Sequence, residues 1–147
     1  MLFRSGFTDQ GPQHAEMGLL AHRGGWRQAR LWQAGYEFNT PLEATWTNAH
    51  GGKLSPSGSF ISLESDSVYI GSVKRAEDDN DLVVRLVEAA GRNGSVVIRL
   101  GLGLQALSAT ETDLLELNPK PISASPDAVR LDLGPYQVRT VKINMTR

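Results

Sequence analysis

The densest run of ionisable side chains is "KRAEDDND", residues 74–81, which sets Glu77, Asp78, Asp79 and Asp81 side by side. Carboxylates at that density suit two chemistries. They can surround a hard cation, or they can supply the two carboxyl groups of a retaining glycosidase, roughly 5–5.5 Å apart with one kept protonated by burial. Asp and Asn also bond their own backbone in turns, and they are costly to bury unpaired. Strand-like runs flank the cluster, so the sequence predicts a solvated turn joining 67–75 to 82–90. A flexible turn fixes no carboxyl pair and raises no pKa. A second group, Glu111, Asp113 and Glu116 in "ATETDLLEL", puts Glu111 and Asp113 on one face if the segment is a strand.

Other chemical signals are weaker. "GLGLQA", residues 101–106, matches the G-x-G-x-x-A fingerprint of dinucleotide sites, but no βαβ pattern surrounds it. Leu102 and Leu104 continue the alternation of Val96, Ile98 and Leu100, which predicts one long strand over 95–104 with the glycines on its other face. His14-Ala15-Glu16 has the H-x-E spacing of zinc deaminases, whose remaining ligands are cysteines, and the chain has none. His22 and His50 complete the set of three histidines, and neither stands one helical turn from another. No serine occupies a G-x-S-x-G elbow. The triplets Asn93-Gly94-Ser95 and Asn144-Met145-Thr146 are glycosylation acceptors only in a secretory pathway.

The elements that must position these groups are strands. "DLVVRLVE" places Leu82, Val84 and Leu86 opposite Val83, Arg85 and Val87, and "AVRLDL" repeats the pattern with Val129, Leu131 and Leu133. Short alternating runs at near-even spacing from residue 59 onward predict an all-β antiparallel sandwich. Asn93-Gly94 favours a tight hairpin, which predicts pairing of 82–90 with 95–104. Earlier in the chain, Trp26, Ala29, Trp32 or Gln33, and Tyr36 recur at helical spacing. They predict one short N-terminal helix entered from Gly24-Gly25 and ended by Asn39-Thr40-Pro41, with its aromatics used for core packing. Residues 50–59, rich in Gly, Ser and Pro, read as a loop. No linker long enough to divide two domains is evident, so 1–147 reads as a single sandwich domain.

Composition bounds the partners. A chain of 147 residues buries roughly 68–70% of its unfolded surface on folding, enough for a core without staples. Fifteen basic and sixteen acidic residues, interspersed, offer no basic stripe for nucleic acid. No apolar run reaches the approximately 20 residues of a membrane helix, and the start lacks the apolar core of a signal peptide. The cytoplasm is the default compartment.

The order of four blocks is informative: "DQGPQHAEMGLLAHRGGWRQARLWQAGYEFNTPL", "SVYIGSVKRAEDDNDLVVRLVEAAG", "ETDLLE" and "LGPYQVRTVKI". Together they resemble the C-terminal β-sandwich region of glycoside hydrolase family 38, the α-mannosidases, in its bacterial form. The resemblance runs from about Asp9 to Ile143. It implies a non-catalytic domain, part of a larger super-sandwich, whose partner is the catalytic domain of the same longer polypeptide. It places the zinc, its His and Asp ligands and the aspartate nucleophile in an N-terminal α/β barrel, so no catalytic, cofactor or metal residue is assigned to this chain. "MLFRSG" resembles the middle of a family sandwich strand, and the chain is expected to be a C-terminal fragment. Alone it is expected to lack glycosidase activity and to form a homodimer through the "MLFRSGF" and Trp26–Phe38 surfaces. Two alternatives remain open. A free-standing carbohydrate-binding module would stack sugars on Trp26, Trp32, Trp46 and Tyr36, and a structural or interaction sandwich would make no sugar contact.

Overall fold

The computed structural model describes residues 11–146, so "MLFRSG" lies outside the described residues. Two compact units divide after Pro41, and each is described by itself. The first contains α1 (Leu31–Asn39). Asn39 ends the helix as the Thr-Pro that follows predicts, but its start differs from expectation. Arg30 takes a left-handed φ of 48°, which interrupts the helical run, so Trp26 and Ala29 lie in turns ahead of the helix. The aromatics do not form a core. Trp26, Tyr36 and Phe38 are exposed, and α1 buries no residue. The apolar stripe that helical spacing dictates is present, and Leu31, Ala34 and Phe38 line a shallow pocket together with Gly18, Leu19 and Leu20.

The second unit is an antiparallel sandwich. Its strands are β1 (Ile61–Glu64), β2 (Val68–Arg75), β3 (Leu82–Glu88), β4 (Gly94–Leu100), β5 (Gln105–Thr112), β6 (Lys120–Pro121), β7 (Ala124–Ser125), β8 (Ala128–Leu133) and β9 (Val138–Thr146). One sheet has the order β1-β4-β8-β7 and the other β2-β3-β9-β5-β6. The faces read from alternation meet between them. Val84, Leu86, Val96, Ile98, Val129, Leu131, Leu133, Val141 and Ile143 form one buried cluster. Burial of this apolar area is the main driving force for the unit, at about 25 cal/mol per Å² removed from water.

Two predicted connections are corrected by the pairing. β3 and β4 do not form a hairpin, because β3 pairs β2 and β9 whereas β4 pairs β1 and β8. The segment between them crosses from one sheet to the other. The positive φ it needs, 71°, falls on Gly91, and Gly94 already belongs to β4. A local turn preference at Asn93-Gly94 yields to the need of each strand to place its apolar face in the core. It follows that Gly94→Ala, whose new Cβ meets nothing within 4 Å, is expected to be tolerated. Its folding free energy should stay within about 0.5 kcal/mol of the parent, and a large fall in denaturation midpoint would contradict the sheet-crossing assignment.

The long strand over 95–104 is likewise corrected. β4 stops at Leu100, and Gly101–Leu104 forms a turn in which Leu102 and Gly103 take φ values of 52° and 87°. The turn carries the chain from one sheet to the other at β5. Gly101 is required there by close approach, since its N–H donates to the Phe60 carbonyl at 3.0 Å and a Cβ would stand 2.4 Å from the Ser59 oxygen. The glycines of "GLGLQA" thus serve backbone packing. The remaining expectations of pairing hold: β2 and β3 form an antiparallel hairpin around the acidic turn, and no helix or strand lies between Asn39 and Ile61.

Candidate functional site

The acidic turn is exposed for the most part but is not merely solvated. Asp79 accepts from Lys142 Nζ at 2.5 Å and from the Asp81 N–H, while Asp81 accepts from Asn144 Nδ2 at 2.7 Å. Lys142 and Asn144 stand on the outward face of β9, so the turn is fastened to the centre of its own sheet. The Lys142 hydrogen bond, followed by the Asp81 amide, holds the Asp79 carboxyl below the usual carboxylate range. On the other side Lys74 bridges Glu116 at 2.7 Å and Glu77 at 2.5 Å. Glu116 also accepts the Glu77 N–H. Lys74 in turn lowers the Glu116 carboxyl. A general acid for glycoside cleavage needs the opposite, a carboxyl kept protonated at neutral pH.

Glu111 and Asp113 are brought together, with Thr112, Asn118 and Lys120, around one cavity of about 520 Å³ at the end of β5. Glu111 ion-pairs with Arg139 of β9. Asp113 lies just past the strand and organises the loop that follows. Its Oδ1 accepts the N–H groups of Leu115 and Leu117, both at 2.9 Å, and its Oδ2 accepts from Asn118. The Leu117 amide is the first cause of a lowered Asp113 pKa. Both carboxylates therefore act as anchors of chain geometry, and Asp113 is ionised at neutral pH.

The sequence reading overlooked Glu88. It ends β3 in the same phase as Leu82, Val84 and Leu86, so alternation turns a carboxylate toward the interior, where it is 2% exposed. There it accepts the N–H groups of Ala90 at 3.0 Å, Gly91 at 2.8 Å and Tyr136 at 2.9 Å. Burial pushes this carboxyl up, but the amides of Tyr136, Ala90, Gly91 and Arg92 together outweigh it and leave the pKa lowered. One side chain thus ties the β3–β4 crossing to the β8–β9 crossing. The available signal was an acidic residue in the buried phase of a strand, directly before Ala-Ala-Gly.

His14, His22 and His50 are exposed, and the His50 ring meets the Asn48 carbonyl at 2.6 Å. Among the described residues no three His, Asp or Glu side chains come together to hold a metal ion. Nor is any helix among them long and apolar enough to cross a membrane. Trp46 is fully exposed and Trp26 carries the Arg27 guanidinium 4.4 Å from its ring centroid.

Residues 67–141, from the start of β2 to the middle of β9, match the family described as "Glycosyl hydrolases family 38 C-terminal beta sandwich domain". The chain belongs to this family. The family 38 sandwich match takes in the Glu88 tie and all the strands except β1 and the second half of β9. Two curated relatives extend the similarity. Alpha-mannosidase 2C1 of Mus musculus is 30% identical over 139 residues, which is 91% of this chain and 13% of that protein. Alpha-mannosidase 2C1 of Homo sapiens is 32% identical over 137 residues, covering 89% of this chain and 13% of that protein. The family 38 chain described here therefore spans a small part of the length of these relatives.

Proposed function

We propose that this sandwich is a non-catalytic supporting region of an α-mannosidase-type glycoside hydrolase, with hydrolysis of α-mannosides performed by a longer polypeptide. In this reading the catalytic barrel and its zinc belong to that polypeptide, and the sandwich supports the barrel. The observation that carries the proposal is the use made of the clustered carboxylates. Asp79, Glu88, Asp113 and Glu116 are each held below the usual carboxylate range by lysines or backbone amides that fix turns and crossings. Groups so engaged stabilise a scaffold, and none is poised to give up a proton to a leaving group at neutral pH.

The purified chain is expected to give no turnover of an aryl α-mannoside, and to associate with a separately expressed family 38 catalytic region lacking its own C-terminal sandwich. Light scattering reads the association and absorbance reads the turnover. Turnover that a substitution within this chain abolishes would overturn the non-catalytic reading; absence of association would overturn the supporting one.

A further inference from the structure

We infer that the outer face of the β2-β3-β9-β5-β6 sheet is the surface by which the sandwich docks on the catalytic region of a longer polypeptide, and that a carboxylate of that region pairs with Arg85. The two sheets turn different chemistry outward. On the β1-β4-β8-β7 sheet the outward phase carries Glu64, Arg99, Arg130 and Asp132, with Arg99 paired to Glu64 at 2.7 Å, as suits a face in water. On the other sheet the residues opposite in phase to the core meet as one apolar row, because Tyr69 pairs with Val87 and Val87 with Val138. Beside this row the Asp113 loop folds over the same face, where Arg85 Nη2 donates to the Leu114 carbonyl at 3.1 Å and Lys74 bridges Glu116. Val83 and Thr140 are outward in phase yet 1% exposed, as a loop closing over them requires. The loop hides those two but leaves its own Leu114 and Leu115 exposed, and Val138 is exposed with them. Because Asp113 already holds the Leu115 and Leu117 amides, this apolar surface is fixed in advance, which lowers the ordering cost of association.

Arg85 gives the covering surface its chemistry. It shares the outward phase of Val87, two residues on. Its Nε donates to Thr140 Oγ1 and its Nη2 to Leu114, both neutral acceptors, and among the described residues it makes no ion pair. A guanidinium so positioned among tyrosine and aliphatic side chains has the make-up of an interface centre, and a carboxylate from outside would complete it. A second copy of this chain fits poorly. A two-fold contact opposes like faces, and the carboxylates of this face, Asp79, Asp113 and Glu116, are already engaged by Lys142, by backbone amides and by Lys74. The rest of a family 38 polypeptide is the occupant that the similarity supplies. The chain covers 13% of each alpha-mannosidase 2C1, so most of such a protein is available to cover the face. This docking rests on the proposed supporting role and adds to it the face and the charge that exercise it.

Titration calorimetry of the full 147-residue chain against a separately expressed family 38 catalytic region lacking its own C-terminal sandwich tests the face. Val138→Gln and Leu115→Gln alter exposed side chains, and each is expected to weaken association about tenfold by burying an amide without a partner, with the melting temperature of the free chain unchanged. Arg130→Gln, on the outer face of the other sheet, should leave the affinity as it is. Added salt should weaken association of the parent more than that of Arg85→Met, which keeps the stem and loses the charge. Association that both the Val138 and Leu115 variants retain in full, or that Arg130→Gln weakens as much as they do, overturns this docking face and leaves the supporting role standing. No association of the parent overturns both. A parent homodimer that Val138→Gln disperses, with binding to the catalytic region unaffected, assigns the face to a second copy and overturns the docking. Equal salt dependence of the parent and Arg85→Met overturns the carboxylate partner.

Discussion

Glu88→Ala is expected to remove about 3–5 kcal/mol of folding free energy, since each buried donor deprived of its acceptor costs about 1–3 kcal/mol. The substitution takes away the carboxylate that accepts from the Ala90, Gly91 and Tyr136 amides, and with it this link between two sheet crossings. Glu88→Gln keeps the shape but turns an NH₂ group toward those donors, so it should be nearly as damaging. Denaturant titration at neutral pH measures both. Acid supplies an independent check. The folded carboxyl titrates below the unfolded value of about 4.3, so its stabilisation is complete at neutral pH and is lost as pH falls through the folded pKa. The gap between parent and Glu88→Gln should therefore narrow in acid. A gap that stays constant down to strongly acidic pH would show that the ionised carboxylate is not what matters.

Gly101→Ala is expected to cost about 2–3 kcal/mol through overpacking. The added carbon would stand 2.4 Å from the Ser59 carbonyl oxygen, which is backbone and has no rotamer to retreat into. Relief requires the 59–60 segment to move off, and the Gly101 N–H to Phe60 hydrogen bond goes with it. Melting temperature and hydrogen exchange at the Gly101 amide report the two parts of that event. Retained protection together with an unchanged melting temperature would mean that the turn and Ser59 do not approach as described. Gly94→Ala, made in parallel, controls for the general effect of a glycine replacement.

What was legible in the sequence was local. Alternation located the buried faces of β3, β4 and β8, because side-chain direction along a strand depends only on neighbouring residues. The family resemblance was legible too, carried by block order. Pairing was less so. Asn93-Gly94 has a strong turn preference, yet β3 and β4 belong to different sheets, and only partners far along the chain decide that. Leu102 and Leu104 fit the period of β4 although a turn intervenes, since a period-two test cannot distinguish a strand from a turn that keeps its phase. The acidic cluster was recognised as a turn, but its ties to Lys142 and Asn144 join residues 63 positions apart. The grouping of Glu111 with Asn118 and Lys120 depends on the Asp113 loop folding back, which has no signature in one dimension.

The place of β9 has a consequence for how the molecule is made. It follows every other described strand in chain order, yet it occupies the middle of its sheet, with β3 on one side and β5 on the other. A ribosome delivers residues in order, so β3 and β5 emerge long before the strand that joins them. Until residues 138–146 are out, both hold open edges beside an uncovered apolar face, the arrangement that invites pairing with another chain. The sandwich cannot close progressively from its N-terminal side, and a nascent chain halted shortly before Val138 is the species on which chaperone capture or aggregation should concentrate.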